Sequence, residues 1–157
     1  MIEIERKFLV TSSAYRDLAY KSYRIVQGFL SRDPDRTVRI RLTDDKGVLT
    51  VKGRSSEDGL KRFEWEREIS KGDAEELLNI CLPGTIDKMR YLVKQDNHIF
   101  EVDEFYGDNS GLVVAELELE DEHVNFKSPD WLGKEVTGNN RYYNSHLSEQ
   151  PYKTWKI

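Results

Sequence analysis

Apolar and polar residues trade places at every second position through most of this chain, the period of a strand whose two faces meet different surroundings. The first such run is Ile2-Glu3-Ile4-Glu5-Arg6-Lys7-Phe8, with Glu3, Glu5 and Lys7 on one face. Others cover 23–30, 37–43, 48–54, 60–70, 86–94, 99–105 and 112–120. Asp45-Lys46-Gly47, Glu57-Asp58-Gly59 and Asp96-Asn97 supply turn chemistry between runs, so much of the chain reads as an antiparallel meander. Helical spacing is confined to three short stretches. One comes after Ser12 or Ser13 as N-cap, with Tyr15, Leu18 and Ala19 facing inward. The second spans 73–81, capped by Asp73, with Ala74, Leu77, Leu78 and Cys81 on its inner stripe and Pro83-Gly84 as its stop. The third lies in 139–148 with Asn140 as cap, and it either packs against the sheet or plugs one end of it. The pattern predicts a mainly β fold of about eight antiparallel strands with a few covering helices, closed into a barrel because closure removes exposed edges.

The polar face of these strands is unusual in kind. Arg39 and Arg41 share a face, as do Lys88 and Arg90, Glu101 and Asp103, and Glu116, Glu118 and Glu120. Arg62 shares one with Glu64, Glu66 and Glu68. The opposite parity is apolar: Val38, Ile40 and Leu42; Phe63 and Trp65; Met89, Tyr91 and Val93; Leu117 and Leu119. Side chains two apart on a strand stand about 6.6 Å from each other, so stacked like charges repel unless water, metal or a counter-charge intervenes. The plain alternative is a solvated outer face, the habit of one-sided antiparallel sheets. Solvated strands usually mix Ser, Thr and Lys with Glu, however, and these strands carry long stretches of one sign. If helices cover the apolar parity, the charges point inward. Lone buried charges are too costly to stand unpaired. The interior should then be a wet, charged tunnel organised around a polyanion and divalent cations, with Arg and Lys gripping phosphates and Glu holding metal.

Composition narrows the picture. At 157 residues the chain is the size of one domain, expected over 1–157. Its net charge of −5 argues against a general nucleic-acid binder. The single cysteine, Cys81, excludes an intrachain disulfide and suits a reducing compartment. The N-terminus lacks a signal-like apolar stretch, and no run approaches the ~20 apolar residues of a membrane span, so a cytoplasmic protein is expected. His98, His123 and His146 show no metal-ligand or triad spacing. Trp65, Trp131 and Trp155 read as packing residues.

Glu3-Ile4-Glu5-Arg6-Lys7 matches a Glu-x-Glu-x-Lys signature, and charged clusters downstream of it come in a specific order. Arg39-Ile40-Arg41, Lys52 in Thr50-Val51-Lys52-Gly53, and Arg62-Phe63-Glu64-Trp65-Glu66 come first. Lys88-Met89-Arg90, Glu101-Val102-Asp103, Glu116-Leu117-Glu118 and Glu135-Val136-Thr137 complete the order. In this the chain resembles the triphosphate tunnel metalloenzymes, also called the CYTH superfamily, over nearly its whole length. The resemblance implies an eight-stranded antiparallel tunnel that binds a linear triphosphate with Mg²⁺ or Mn²⁺. Lys7, Arg39, Arg41, Lys52, Lys88 and Arg90 would contact phosphate. Glu3, Glu5, Glu116 and Glu118 would hold metal or the attacking water, with Glu64, Glu66 and Asp103 as further partners. Glu5, Lys7 and Lys88 are the expected catalytic residues. Family members hydrolyse inorganic tripolyphosphate, thiamine triphosphate or an RNA 5′-triphosphate, or cyclise ATP as class IV adenylate cyclases. This chain resembles the short bacterial members, which points to tripolyphosphate; a cyclase and a non-catalytic polyphosphate-binding module are the rivals. The expected partner is a small-molecule triphosphate, not nucleic acid or a membrane, and the chain is expected as a monomer or homodimer.

Overall fold

The computed structural model describes residues 1–155. Its strands are β1 (Ile2–Val10), β2 (Lys21–Ser31), β3 (Thr37–Leu42), β4 (Gly47–Ser55), β5 (Lys61–Ile69), β6 (Ile86–Gln95), β7 (His98–Phe105), β8 (Val113–Leu119) and β9 (Leu132–Glu135). The helices are α1 (Tyr15–Leu18), α2 (Lys71–Asn79) and α3 (Asn144–Glu149). The strands pair in the order β5-β4-β3-β2-β6-β7-β8-β1-β9, and a further β5–β1 pairing joins eight of them into a ring. All pairings are antiparallel.

The seam of this ring is short. β1 meets β5 only through Ile2↔Phe63, Glu3↔Arg62 and Ile4↔Lys61. Farther along β1, β9 takes over, pairing Phe8 with Glu135 and Val10 with Leu132. The sequence pattern predicts no strand at β9: four residues including Gly133 are too few to show alternation.

Pairing registers fix which parity faces inward. Lys7 lies opposite Glu116, Glu5 opposite Glu118, Glu3 opposite Arg62, Lys52 opposite Glu64, and Arg90 opposite Asp103. The charged faces therefore meet around one lumen, as the sequence pattern requires. The apolar parity packs outside. Phe8, Phe100, Val102, Ala115, Leu117 and Leu119 form its largest cluster, under Tyr15 and Trp131. Helices supply less of this cover than expected. Phe126 and Trp131, from the segment between β8 and β9, do much of it, and both meet Phe100 edge to face. Phe63 and Trp65 have no comparable cover and are 46% and 39% exposed.

The helix ends differ from the sequence expectations for local reasons. α1 is a single turn that starts after Ala14, so only Tyr15 reaches the core and Leu18 lies exposed. Ser12 Oγ accepts from Ala14 N–H at 3.3 Å, a turn contact and not a cap. α2 starts earlier than expected: Ser70 is its cap, accepting from Asp73 N–H at 3.1 Å. The tail is broken in two. Asn139, not Asn140, caps a 3-10 turn at Asn140–Tyr142 by accepting from Arg141 N–H at 3.2 Å. Tyr143 is extended, and α3 begins after it. Together these pieces stopper one end of the ring. Phe29, Ile86, Phe105 and Val114 share the inward parity but are apolar, and Leu147 of α3 is buried against them. The lumen is thus charged along most of its length and greasy where α3 closes it.

Candidate active site

Alternation along six of the eight ring strands aims polar groups at one cavity of ≈ 80 Å³. β1 contributes Glu3, Glu5 and Lys7; β3 contributes Arg39 and Arg41. Lys52 comes from β4, Arg62 from β5, Lys88 and Arg90 from β6, and Glu116 from β8. Glu64, Glu66, Asp103 and Glu118 stand back from the wall. A larger cavity of ≈ 720 Å³ adjoins the first and shares Ser55, Gly59, Arg62, Tyr143 and Ser145 with it.

Most cations in the tunnel have a carboxylate. Lys7 Nζ lies 3.4 Å from Glu116, and Lys52 Nζ lies 3.0 Å from Glu3 and 3.2 Å from Glu64. Arg39 meets Glu66 at 3.3 Å and Thr50 Oγ1 at 3.1 Å. Asp103 is clamped: Arg90 donates to both its oxygens at 2.8 and 2.9 Å, and Lys88 donates at 2.7 Å. Two arginines are left over. Arg41 donates only to Gln27 Oε1, at 2.9 Å. Arg62 donates to Gly53 O, Pro34 O and Thr37 Oγ1, all neutral. Neither has a carboxylate within ion-pair distance among the described residues. Burial first, then Arg39 and Arg90, bring the Arg41 guanidinium down to about 9. Two guanidiniums whose hydrogen-bond partners among the described residues are all neutral can take an anion from the cavity.

The carboxylates show the opposite strain. Burial, then Glu116 and Glu3, push the Glu5 carboxyl well above the usual range. Burial also opposes charge on Glu116, but Lys7, Arg90 and Lys88 hold it well below that range. Glu118 is raised by burial and then by Glu3, Glu101 and Glu66. Among the described residues no three acidic, His or Cys side chains converge as a ready-made metal cage.

The three further candidates each meet a cation. Asp103, with 1% of its side chain exposed, has both oxygens on Lys88 and Arg90. Glu64 and Glu66 likewise face Lys52 and Arg39. Sequence reasoning gave no site role to Arg62, Gln27, Thr37 or Thr50. All lie on the inward parity, so their positions were readable although their bond partners were not. Asn144, which also borders the cavity, carried no signal, because its place depends on the break at Tyr143.

The site is thus an antiparallel ring closed around a lumen of paired cations and carboxylates, with two arginines outside the pairing. The CYTH domain matches residues 1–150, and the chain belongs to that family. It is 50% identical over 155 residues to an inorganic triphosphatase of Acetivibrio thermocellus, covering 98% of this chain and 97% of that one. It is 36% identical over 152 residues to an inorganic triphosphatase of Nitrosomonas europaea, covering 94% and 97%. The solved structure of the inorganic triphosphatase NE1496 superposes with a TM-score of 0.67 at 31% identity, over 93% of this chain and 97% of that one.

Proposed function

We propose that this protein is an inorganic triphosphatase that hydrolyses tripolyphosphate to diphosphate and phosphate with a divalent cation, Mg²⁺ or Mn²⁺. The observation that carries the reading is the pair Arg41 and Arg62, cations without carboxylate partners on the wall of a cavity where Lys7, Lys52, Lys88, Arg39 and Arg90 also stand. A linear triphosphate brings about four to five negative charges, and a guanidinium fork suits its oxygens. Lys7, Arg39, Arg41, Lys52, Arg62, Lys88 and Arg90 bind and orient the substrate in this reading. Two relatives called inorganic triphosphatases, matched over nearly the full chain, support the substrate.

The residues present fit a divalent cation. Glu5 and Glu116 are hard oxygen donors close enough for Glu116 to raise the Glu5 carboxyl, and Glu3 and Glu118 add two more carboxylates nearby. A cation held by Glu3, Glu5, Glu116 and Glu118 would neutralise phosphate charge and lower the pKa of a water. The chain's own groups do the rest. Water oxygen attacks a terminal phosphorus and gives up a proton to a lumen carboxylate and from there to solvent, while the bridging P–O bond breaks and its electron pair leaves on the diphosphate. Lys88 and Arg90, with the arginine pair, stabilise that charge. No covalent enzyme intermediate is needed.

A second reading rests on the adjoining 720 Å³ cavity, which has room for a nucleoside and so keeps ATP cyclisation in play. The test offers purified protein tripolyphosphate, ATP and thiamine triphosphate with Mg²⁺ or Mn²⁺, tracking both phosphate and cyclic AMP. Phosphate released fastest from tripolyphosphate is the expected result. Cyclic AMP from ATP would replace the hydrolase with the cyclase, and tight tripolyphosphate binding without turnover would leave a binding module.

A further inference from the structure

Both buried lysines of the tunnel are held by the C-terminal segment. Lys7 Nζ donates to the Tyr142 carbonyl at 3.3 Å and lies 4.9 Å from the centre of the Tyr143 ring. Lys88 Nζ donates to Asn144 Oδ1 at 2.8 Å as well as to Asp103. The same Asn144 oxygen accepts from Gln27 Nε2 at 2.8 Å, and Gln27 in turn accepts from Arg41. Two donors on one oxygen fix which way the amide faces. Asparagine at the start of a helix commonly serves as a cap, but α3 has no side-chain cap bond. The Asn144 side chain is committed to the tunnel.

Lysine is a point charge on a flexible four-carbon stem, so one acceptor leaves its ammonium free to swing. Asp103 is that single acceptor on the ring, and it is already shared with Arg90. A second acceptor on a different element defines where the ammonium sits and leaves its third N–H for a ligand. We infer that Asn144 is a positioning residue for Lys88: its side-chain oxygen places the ammonium for the leaving diphosphate, and the seating of α3 sets that geometry. The inference rests on the tripolyphosphatase reading, because it assigns Lys88 to that reaction.

The experiment compares the parent with Asn144→Ala and Asn144→Asp, measuring kcat and KM for tripolyphosphate with Mg²⁺, and melting temperature. Asn144→Ala removes the acceptor, and kcat should fall about tenfold or more, within the cost of misplacing a group by ~1 Å, while KM changes much less. Asn144→Asp keeps an oxygen of the same reach, so kcat should return to near the parent value. KM should rise in that variant, because a carboxylate now faces a polyanion. A merely structural role for Asn144 would not be rescued in kcat by aspartate while KM moved the other way. Parent-like kcat in Asn144→Ala overturns the inference, as does an Asn144→Asp as slow as the alanine variant. An inactive parent overturns the tripolyphosphatase reading and this inference with it.

Discussion

Lys88 has 1% of its side chain exposed, and its neighbours decide what it can do. Burial above all, with Arg90 and Arg41, outweighs the help of Asp103 and Glu116 and brings it down to about 7. In the free protein it therefore loses its proton as pH rises through about 7. A bound polyanion favours the charged form and pulls the pKa upward. Binding tripolyphosphate at about pH 8, above that value, should thus take up more proton in the parent than in Lys88→Met, measured by calorimetry in buffers of different ionisation enthalpy; equal uptake would contradict this. Asp103 faces two cations, so Asp103→Ala strands both and should cost about 3–5 kcal/mol in denaturant unfolding. A loss under about 1 kcal/mol, the worth of an exposed pair, would show that the clamp is not structural. At the carboxylate cluster, Glu5→Gln or Glu116→Gln should collapse turnover with the fold intact by circular dichroism. Full activity at unchanged metal would remove that residue from the site. These positions were legible because parity alone places them. The bonds of Asp103 were not, since alternation says which face a side chain takes and nothing of what it meets there.

At the scale of elements, strands were easier to read than helices. A strand's period repeats every two residues, so even the short run at Thr37–Leu42 declares itself, whereas one turn at Tyr15–Leu18 holds too little sequence for a period of about 3.6 residues. The plug was harder still. Its position comes from close approaches that leave no periodic trace. A Cβ at Gly84, whose φ is +101, would fall 1.8 Å from the Ser148 carbonyl oxygen. Gly59 and Gly138 bring the β4–β5 turn against the start of the plug in the same way. Arg32 adds a hydrogen bond to Ser148 Oγ at 3.1 Å. Gly84→Ala should therefore destabilise by about 1–3 kcal/mol, the cost of a strained backbone. It should also lower kcat, although Gly84 does not line the cavity. Parent-like stability and turnover would mean that α3 is not held where the tunnel needs it.

Over the whole molecule, a net charge of −5 conceals a cavity wall where Lys and Arg outnumber Glu, because the inward parity of the strands is set apart from the acidic excess of the rest of the chain. That division is why composition excludes little about the ligand and strand parity says much. In the proposed reading, activity also depends on a divalent cation that the lumen carboxylates would hold. The most direct measurement is product release from tripolyphosphate by purified protein, with Mg²⁺, Mn²⁺ or EDTA. The account predicts phosphate and diphosphate in equal amounts with metal, and none with EDTA. Equal rates with and without EDTA, or no products with either metal, would contradict it.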